Sequence, residues 1–253
     1  MKKHTWDAEG YHFHSAAQQE AALDLLKSIH LKGDEEILDV GCGDGKITAH
    51  IAQCVPQGKV IGIDASEQMI EFAKKRFSKP NLTFVLQEAQ KFNGRFDVIF
   101  SSFALQWVFN ISDFLQRAKK SLKSKGHLVI TVPLGISQPL EQALEVITKK
   151  VEWRSYFKGF VPSWHLRDEK EWKRLLYRFQ VKKLQVVPQQ AIFPSREHFE
   201  GYVWPWLAYL NYLPEGKKES FFKQIIDRYL ELEKSKNGCV PFHFSRLDII
   251  ATL

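Results

Sequence analysis

The segment Asp39-Val40-Gly41-Cys42-Gly43-Asp44-Gly45 combines glycines at alternate positions with acidic side chains. Glycines at this spacing let the backbone turn tightly and approach a ligand that any Cβ would push away. The G-x-G-x-G pattern differs from the G-x-G-x-x-G of dinucleotide sites, whose last glycine lets a helix pack beneath a pyrophosphate. We therefore expect a ligand without a pyrophosphate, whose ammonium group Asp39 can meet through water or a backbone amide. The alternative is a plain strand-to-helix turn.

A second acidic residue, Asp64, ends an apolar run in Gly62-Ile63-Asp64-Ala65-Ser66. A carboxylate at the end of a strand in a doubly wound sheet accepts hydrogen bonds from both hydroxyls of a ribose. The competing interpretation is a cap for the next helix, but Ser66 already suits that role. Met69 follows one turn into that helix, where it covers a flat base or joins the core, and its periodicity favours the core.

Polar residues also follow the next two apolar runs. Glu88-Ala89 comes after the third run, where the carboxylate can accept a hydrogen bond from an adenine amino group and the Ala89 amide can donate to the ring. Ser101 follows the fourth run, with Gln106-Trp107 close behind. Taken alone, Glu88 favours the alternative of a solvated side chain, because an exposed glutamate is usually just solvated. Together, four successive runs that end in glycine, acid, acid and a small polar residue indicate a binding site.

These side chains need a frame that brings the ends of their strands together. Between residues 35 and 133, apolar periods typical of strands and of helices alternate along the chain. The pattern predicts an α/β fold with a doubly wound, Rossmann-like sheet of parallel strands and helices on both faces. Such sheets bind ligands beyond the carboxyl ends of their strands. The predicted strands are Ile37–Val40, Val60–Ile63, Leu82–Leu86, Phe96–Phe100 and His127–Val132.

The rest of the chain is less regular and contains two aromatic stretches, Trp153–Trp164 and Tyr202–Trp206. We expect residues 179–187 and 243–253 to add the last two strands of the same sheet. Residues 134–178 and 188–241 then form helical insertions that make a lid over the crevice. The prediction is a single domain over residues 1–253, with 35–133 as its ligand-binding core.

Composition excludes several classes of protein. The chain has 253 residues, of which 44% are hydrophobic and 26% charged, and these values are typical of a globular domain. No apolar run approaches the ~18 residues of a membrane span, and the start lacks the pattern of a signal peptide. The three cysteines form no C-x-x-C pair, and no histidine pair has metal-ligand spacing. We expect a cytoplasmic monomer that holds no metal ion and contacts no membrane.

The segments Ile37–Gly45, Ile63–Met69 and Phe96–Ser101 resemble those of class I S-adenosylmethionine-dependent methyltransferases. The resemblance implies a seven-stranded, mostly parallel sheet whose last strand is antiparallel, with S-adenosyl-L-methionine as cofactor. It places the methionine moiety of the cofactor against Asp39, Gly41 and Gly43, and the ribose hydroxyls on Asp64. It also places the adenine between Ala65 and Met69, with Glu88 and Ala89 at the edge of the ring. Ser101, at the end of the fourth strand, is counted with this set.

A narrower resemblance covers nearly the whole chain. Trp6-Asp7…Tyr11, Ala104–Val108 and Phe244–Ala251 resemble trans-aconitate methyltransferases and related small-molecule carboxyl methyltransferases. Ser15–Gln18 resembles the start of juvenile hormone acid methyltransferases, where a glutamine meets the cofactor carboxylate. These resemblances imply that role for Gln18 and place Tyr11 and Trp107 beside the transferable methyl. They also imply O-methylation of a small carboxylic acid similar to trans-aconitate.

A carboxylate acceptor needs no general base, because it is ionised at neutral pH. Arg154, Arg196 and Arg246 are candidates to clamp it in bidentate fashion, although an ion pair inside the fold is the alternative for Arg246. The formal charge of +7 comes largely from basic runs such as Arg117–Lys125, which fit an outer helix face. No motif indicates nucleic acid. An acidic acyl carrier protein that carries the acceptor is the alternative partner, as in malonyl-carrier methyltransferases.

Two further classes of function remain open from the sequence alone. A nicotinamide-dependent oxidoreductase would share the sheet and Asp64, but the glycine spacing disfavours it. A protein that binds the cofactor as a sensor would keep Gly41 and Asp64 without turnover.

Overall fold

The computed structural model describes residues 16–233 and 238–253. The expectation for Tyr11, and those for the other positions before residue 16, therefore lie outside the described residues. All the remaining predicted site residues lie within them.

The centre of the structure is a seven-stranded sheet with the strand order β3-β2-β1-β4-β5-β7-β6. Strands β1 to β5 are parallel, and β7 runs antiparallel between β5 and β6. The strands are β1 Glu36–Val40, β2 Lys59–Asp64, β3 Leu82–Leu86, β4 Phe96–Ser102, β5 Leu122–Pro133, β6 Gln180–Phe193 and β7 Val240–Thr252. The chain builds β2 and β3 on one side of β1 and then crosses to β4 on the other. This switch point opens a crevice at the carboxyl ends of β1 and β4.

Eight α-helices cover the sheet in the described part of the chain. They are α1 Ala16–Lys27, α2 Lys46–Cys54, α3 Glu67–Arg76, α4 Ile111–Ser121, α5 Gln138–Thr148, α6 Glu169–Leu175, α7 Arg196–Val203 and α8 Glu215–Glu233. The side chains of a strand alternate between faces, so each buried strand supplies two layers of core. Ile37 and Val98 pack with α1 and α2, whereas Leu38 and Ile99 pack with α4 and α6. The predicted helices on both faces are confirmed.

The insertions around β6 carry a second apolar cluster. It contains buried residues of α5, α7 and α8 together with Trp153, and it includes Val240 and Phe242 of β7. Because two strand residues belong to this cluster, the insertion helices pack directly onto the last strands of the sheet. Within the described ranges, no helix combines the length and the hydropathy that crossing a membrane requires.

The predicted fold class is confirmed, but several boundaries differ from expectation. The second insertion, expected from residue 188, begins only after Phe193, because 188–193 continue the ladder with β7. β7 begins at Val240, before the expected residue 243, so this insertion ends earlier than residue 241. β4 extends to Ser102, so Ser101 belongs to the strand rather than to the loop that follows it.

Candidate functional site

The glycine turn after β1 approaches the loop after β4 more closely than any other residue type would permit. Gly41 has a φ of 76°, and a Cβ built on it would lie 2.1 Å from the Cβ of Ala104. Gly45 has a φ of 81°, and its Cβ would lie 2.7 Å from the ring of Phe84. Only glycine adopts these angles readily. The sequence of the turn therefore fixes a narrow crevice between the two loops.

Two carboxylates flank this turn. Asp39 is 2% exposed, and its Oδ2 accepts a hydrogen bond of 2.6 Å from the Thr48 hydroxyl of α2. Asp64, which is partly buried, accepts hydrogen bonds from the amide of Gly43 at 3.0 Å and from the amide of Ser66 at 2.8 Å. Backbone amides, including that of Ala65, thus orient the Asp64 carboxylate and leave it acceptor capacity for a ligand hydroxyl.

The electrostatics of this cluster favour a positively charged ligand. Burial raises the pKa of Asp39 to about 7; the Thr48 hydroxyl opposes this increase, and the nearby charges of Asp64 and Asp44 add to it. Burial also raises the pKa of Asp64, against the opposing hydrogen bonds from backbone amides. A cation between these groups would favour their ionised forms and lower both pKa values.

The other predicted cofactor residues take different environments. Ala65 is exposed, whereas Met69 is 3% exposed. The backbone amide of Met69 donates a hydrogen bond to the hydroxyl of Ser66, which is the N-cap of α3. Glu88 is exposed and forms an ion pair of 3.1 Å with Lys91, and Ala89 is half-buried against the core. Ser101 is completely buried, and its hydroxyl donates to the carbonyl of Val40 at 2.8 Å. Ser101 therefore ties β4 to β1 and does not present its hydroxyl to the crevice.

An aromatic cavity of about 80 Å³ lies beyond the ends of β4, β5 and β7. Two predicted residues line it. Gln18 of α1 is 7% exposed, and its side chain forms a hydrogen bond with Tyr202. The ring of Trp107 packs edge-on against that of Trp164, with ring centroids 5.8 Å apart. The remaining lining residues are Phe103, Gln106, Pro133, Gly135, Ile136, Trp164, Leu166, Tyr202, Trp206, Phe242 and Phe244.

Gln106 is a site residue whose role the sequence reasoning missed. Its amide nitrogen donates to the carbonyl of Phe103 at 2.7 Å, which fixes the amide orientation and leaves Oε1 buried without a partner in the described part of the chain. Phe103 itself has a φ of 49°, unusual for a non-glycine residue, and strain of this kind concentrates at ligand sites. No periodicity in the sequence signals either feature.

The arginines proposed as clamps are engaged elsewhere or lie on the surface. Arg246 is 3% exposed and donates to both carboxylate oxygens of Asp248, at 2.9 and 3.3 Å, so its alternative interpretation as an internal ion pair is confirmed. Arg196 pairs with Glu200 and Asp227, and Arg154 is exposed. Within the described ranges, no group of His, Cys, Asp and Glu has the arrangement of a metal site.

Comparisons with known proteins agree with this architecture. Residues 31–180 match the family model described as "Methyltransferase domain". The trans-aconitate 2-methyltransferase of Deinococcus radiodurans is 36% identical over 148 residues, which are 58% of this chain and 57% of that enzyme. The matched segment thus spans little more than half of that enzyme. Protein 235L of Invertebrate iridescent virus 6, which carries a methyltransferase name, is 24% identical over 94% of this chain and 90% of its own length.

Solved structures extend the comparison to the fold. The phosphoethanolamine N-methyltransferase 2 of Haemonchus contortus, in complex with S-adenosyl-L-methionine, has a TM-score of 0.61 and 16% sequence identity; the match covers 97% of this chain and 56% of that one. The family match, the relatives and the seven-stranded sheet with its glycine turn agree with one another. The chain belongs to the methyltransferase-domain family and is a class I methyltransferase that uses S-adenosylmethionine.

Proposed function

We propose that this enzyme transfers a methyl group to a carboxyl oxygen of a small acid. The observation that carries the proposal is the chemistry of the aromatic cavity. Among its described lining residues, none is an acid, a histidine or a lysine that could remove a proton from an acceptor. Burial raises the pKa of Tyr202 well above its usual range, so this hydroxyl stays protonated. An amine, hydroxyl or carbon acceptor usually needs a base, whereas a carboxylate does not.

The residues at the crevice fit the cofactor. When bound, S-adenosylmethionine supplies a methyl group on a positively charged sulfur. The raised pKa of Asp39 reflects buried, mutually repelling carboxylates, and a cationic ligand would favour their ionised forms. The narrow turn at Gly41 excludes side chains from the space between β1 and β4. The Oε1 atom of Gln18 is buried and has no partner among the described residues, so it has capacity for a ligand donor.

The division of work that we propose rests on the positions of the described residues and, for Tyr11, on the sequence resemblance alone. Asp64 holds the ribose hydroxyls, because its oxygens are already oriented by two backbone amides. Asp39, Gly41 and Gly43 border the methionine moiety, with Gln18 beyond it. Ala65, Met69, Glu88 and Ala89 surround the adenine, and Trp107 with Tyr11 stands beside the methyl. The aromatic lining excludes water and aligns the acceptor, which is the main contribution that a displacement at an activated carbon requires.

The product of the reaction distinguishes this proposal from other methyl transfers. The enzyme is incubated with cofactor labelled in its methyl group and with acids that are each paired with the alcohol of the same skeleton. A methyl ester releases volatile labelled methanol when it is heated in alkali, whereas a methyl ether, amine or carbon product does not. We expect the label to be transferred to the acids and to none of the alcohols. All of the transferred label should then be released as methanol in alkali.

Two results would count against the proposal. Alkali-stable label would show that the acceptor atom is not a carboxyl oxygen. Cofactor binding without transfer to any member of the panel would favour a sensor protein. A variant with Trp107→Ala serves as the control for the cavity: we expect it to lower methyl transfer far more than cofactor binding, because Trp107 lines the acceptor side of the site.

A further inference from the structure

The aromatic cavity is lined by three indole rings in a row. Trp107 and Trp164 pack edge-on with centroids 5.8 Å apart, and Trp164 and Trp206 pack edge-on at 6.3 Å. Phe244 and Phe103 close another side, with ring centroids 6.1 Å apart. The rings come from the loop after β4, from both insertions and from β7, so the cavity is formed where these elements meet. Its walls favour an apolar ligand body.

Charge is missing from this lining in the described part of the chain. None of the lining side chains is Lys, Arg, Asp or Glu. Arg246, two residues along β7 from Phe244, is paired with Asp248 through Nε and Nη2, which offsets its charge, while its Nη1 is buried without a partner among the described residues. Burying a carboxylate without a counter-charge is costly. An acid with a single carboxylate loses its charge when it becomes a methyl ester, whereas a tricarboxylate keeps two uncompensated charges in the cavity.

One buried donor in the lining has no acceptor among the described residues. The indole nitrogen of Trp206 is buried and unpaired, although the ring packs against Tyr202 and Phe242 with centroids 6.0 and 6.5 Å away. An unsatisfied buried N–H is destabilising, because the group has lost its hydrogen bond to water. A ligand oxygen at this point would relieve that cost and would orient the acceptor at the same time.

We infer that the acceptor is a monocarboxylic acid with an apolar aryl or alkenyl body, and that Trp206 Nε1 donates a hydrogen bond to its carboxylate. This inference rests on the proposed function, because it presumes a carboxyl acceptor. It differs from the expectation of a trans-aconitate-like substrate in the number of charges that the cavity accepts. The apolar body lies among the rings of Trp107, Trp164 and Phe244.

The first test compares acceptors. Cinnamic acid and trans-2-hexenoic acid are compared with trans-aconitic acid as substrates of the full chain, with methyl-labelled cofactor. We expect kcat/KM to be higher for the monocarboxylic acids by about tenfold or more, because the tricarboxylate leaves charges unpaired. Preference for trans-aconitic acid would overturn this inference and leave the proposed carboxyl methylation intact. Transfer to none of the three acids, with the cofactor bound, would overturn both.

The second test addresses the indole donor. Trp206→Phe removes the N–H and keeps an aromatic ring, and we expect KM for cinnamic acid to rise roughly threefold to tenfold with unchanged cofactor affinity. Trp204→Phe is the matched control, since Trp204 packs against Phe222 and is not part of the cavity lining. It should leave both constants unchanged. Equal KM values in the two variants, with both folded by circular dichroism, would overturn the role of Trp206.

Discussion

The buried carboxylate of Asp39 makes stability depend on pH in a way that Asp39→Asn should abolish. The pKa of Asp39 is raised from 3.8 to about 7, chiefly by burial. The folded protein therefore binds this proton more tightly than the unfolded chain does. Stability then falls as pH rises from about 4 to about 7, and the loss is complete above that range. Asparagine carries no charge and escapes this loss, while its side-chain oxygen still accepts from Thr48.

The magnitude follows from the two pKa values. The full difference corresponds to roughly 4 kcal/mol, at 1.36 kcal/mol per pK unit. At pH 5 part of the loss is already present, because the unfolded chain is ionised there. The stability of Asp39→Asn relative to the natural protein should therefore increase by roughly 2–3 kcal/mol between pH 5 and pH 8. Urea unfolding without cofactor at several pH values measures this change directly, and steric effects of the substitution cancel in the comparison.

Asp97→Asn is a control of opposite sign. Partial burial pushes the pKa of Asp97 up, but hydrogen bonds from Lys123 and from the Glu36 amide outweigh it, and the net pKa is lowered. This carboxylate therefore adds stability above its unfolded pKa, and that contribution is lost as pH falls through the folded pKa. The Asp97→Asn variant should lose stability relative to the natural protein as pH rises toward the ordinary pKa of 3.8, and between pH 5 and pH 8 the two curves should run parallel. If the curves of Asp39→Asn and the natural protein run parallel between pH 5 and pH 8, the account of the acidic cluster is wrong.

Three further substitutions test other parts of the site. Asp64→Ala should weaken cofactor binding by roughly 1.5–3 kcal/mol, as measured by calorimetry, and unchanged affinity would refute its ribose contact. Gly41→Ala should lower the free energy of unfolding by roughly 2–4 kcal/mol, because the residue has a φ of 76° and its new Cβ would clash with Ala104. Adding Ala104→Gly should recover only the part of this loss that the clash causes. Arg246→Met should destabilise by roughly 3–5 kcal/mol, since the buried Asp248 would keep only the Thr131 hydroxyl and Lys183, 4.0 Å away, as partners; Asp248→Leu in the same chain should recover most of the loss.

The ligand crevice could be predicted from the sequence because its determinants are local. Asp39, Gly41 and Asp64 sit directly at the ends of short apolar runs, and a parallel sheet brings the carboxyl ends of its strands to one edge. The alternation of strands and helices over 35–133 therefore predicted their convergence before any distance was known. Gly45 needs its positive φ for the same local reason, since the turn must bring α2 against Phe84.

The errors arose where tertiary context overrides local pattern. The strand predicted over residues 179–187 is shorter than β6, which continues through Pro188 to Phe193, although proline lacks the N–H of a ladder. The structure places β6 at the edge of the sheet, where proline is tolerated, and Pro188 pairs with Ser245. Similarly, Ser101 was expected to face the ligand, but its hydroxyl serves the neighbouring strand. A single apolar run of sequence does not show whether its strand lies at the edge of the sheet. It also does not show which way a particular side chain of that strand points.

The acceptor side of the site depends on residues that are far apart in the chain, and this explains why family membership does not determine the substrate. The cavity is assembled from Gln18, from the loop after β4, from both insertions and from Phe242 and Phe244 of β7. The family match ends at residue 180, so the second insertion and β7 lie beyond it. We expect substitutions there to change the acceptor without disturbing the glycine turn or Asp64, since neither of these is among the residues that line the cavity. The chemistry of the lining, including the unpaired indole of Trp206, is therefore the better guide to the substrate than the cofactor-binding segments are.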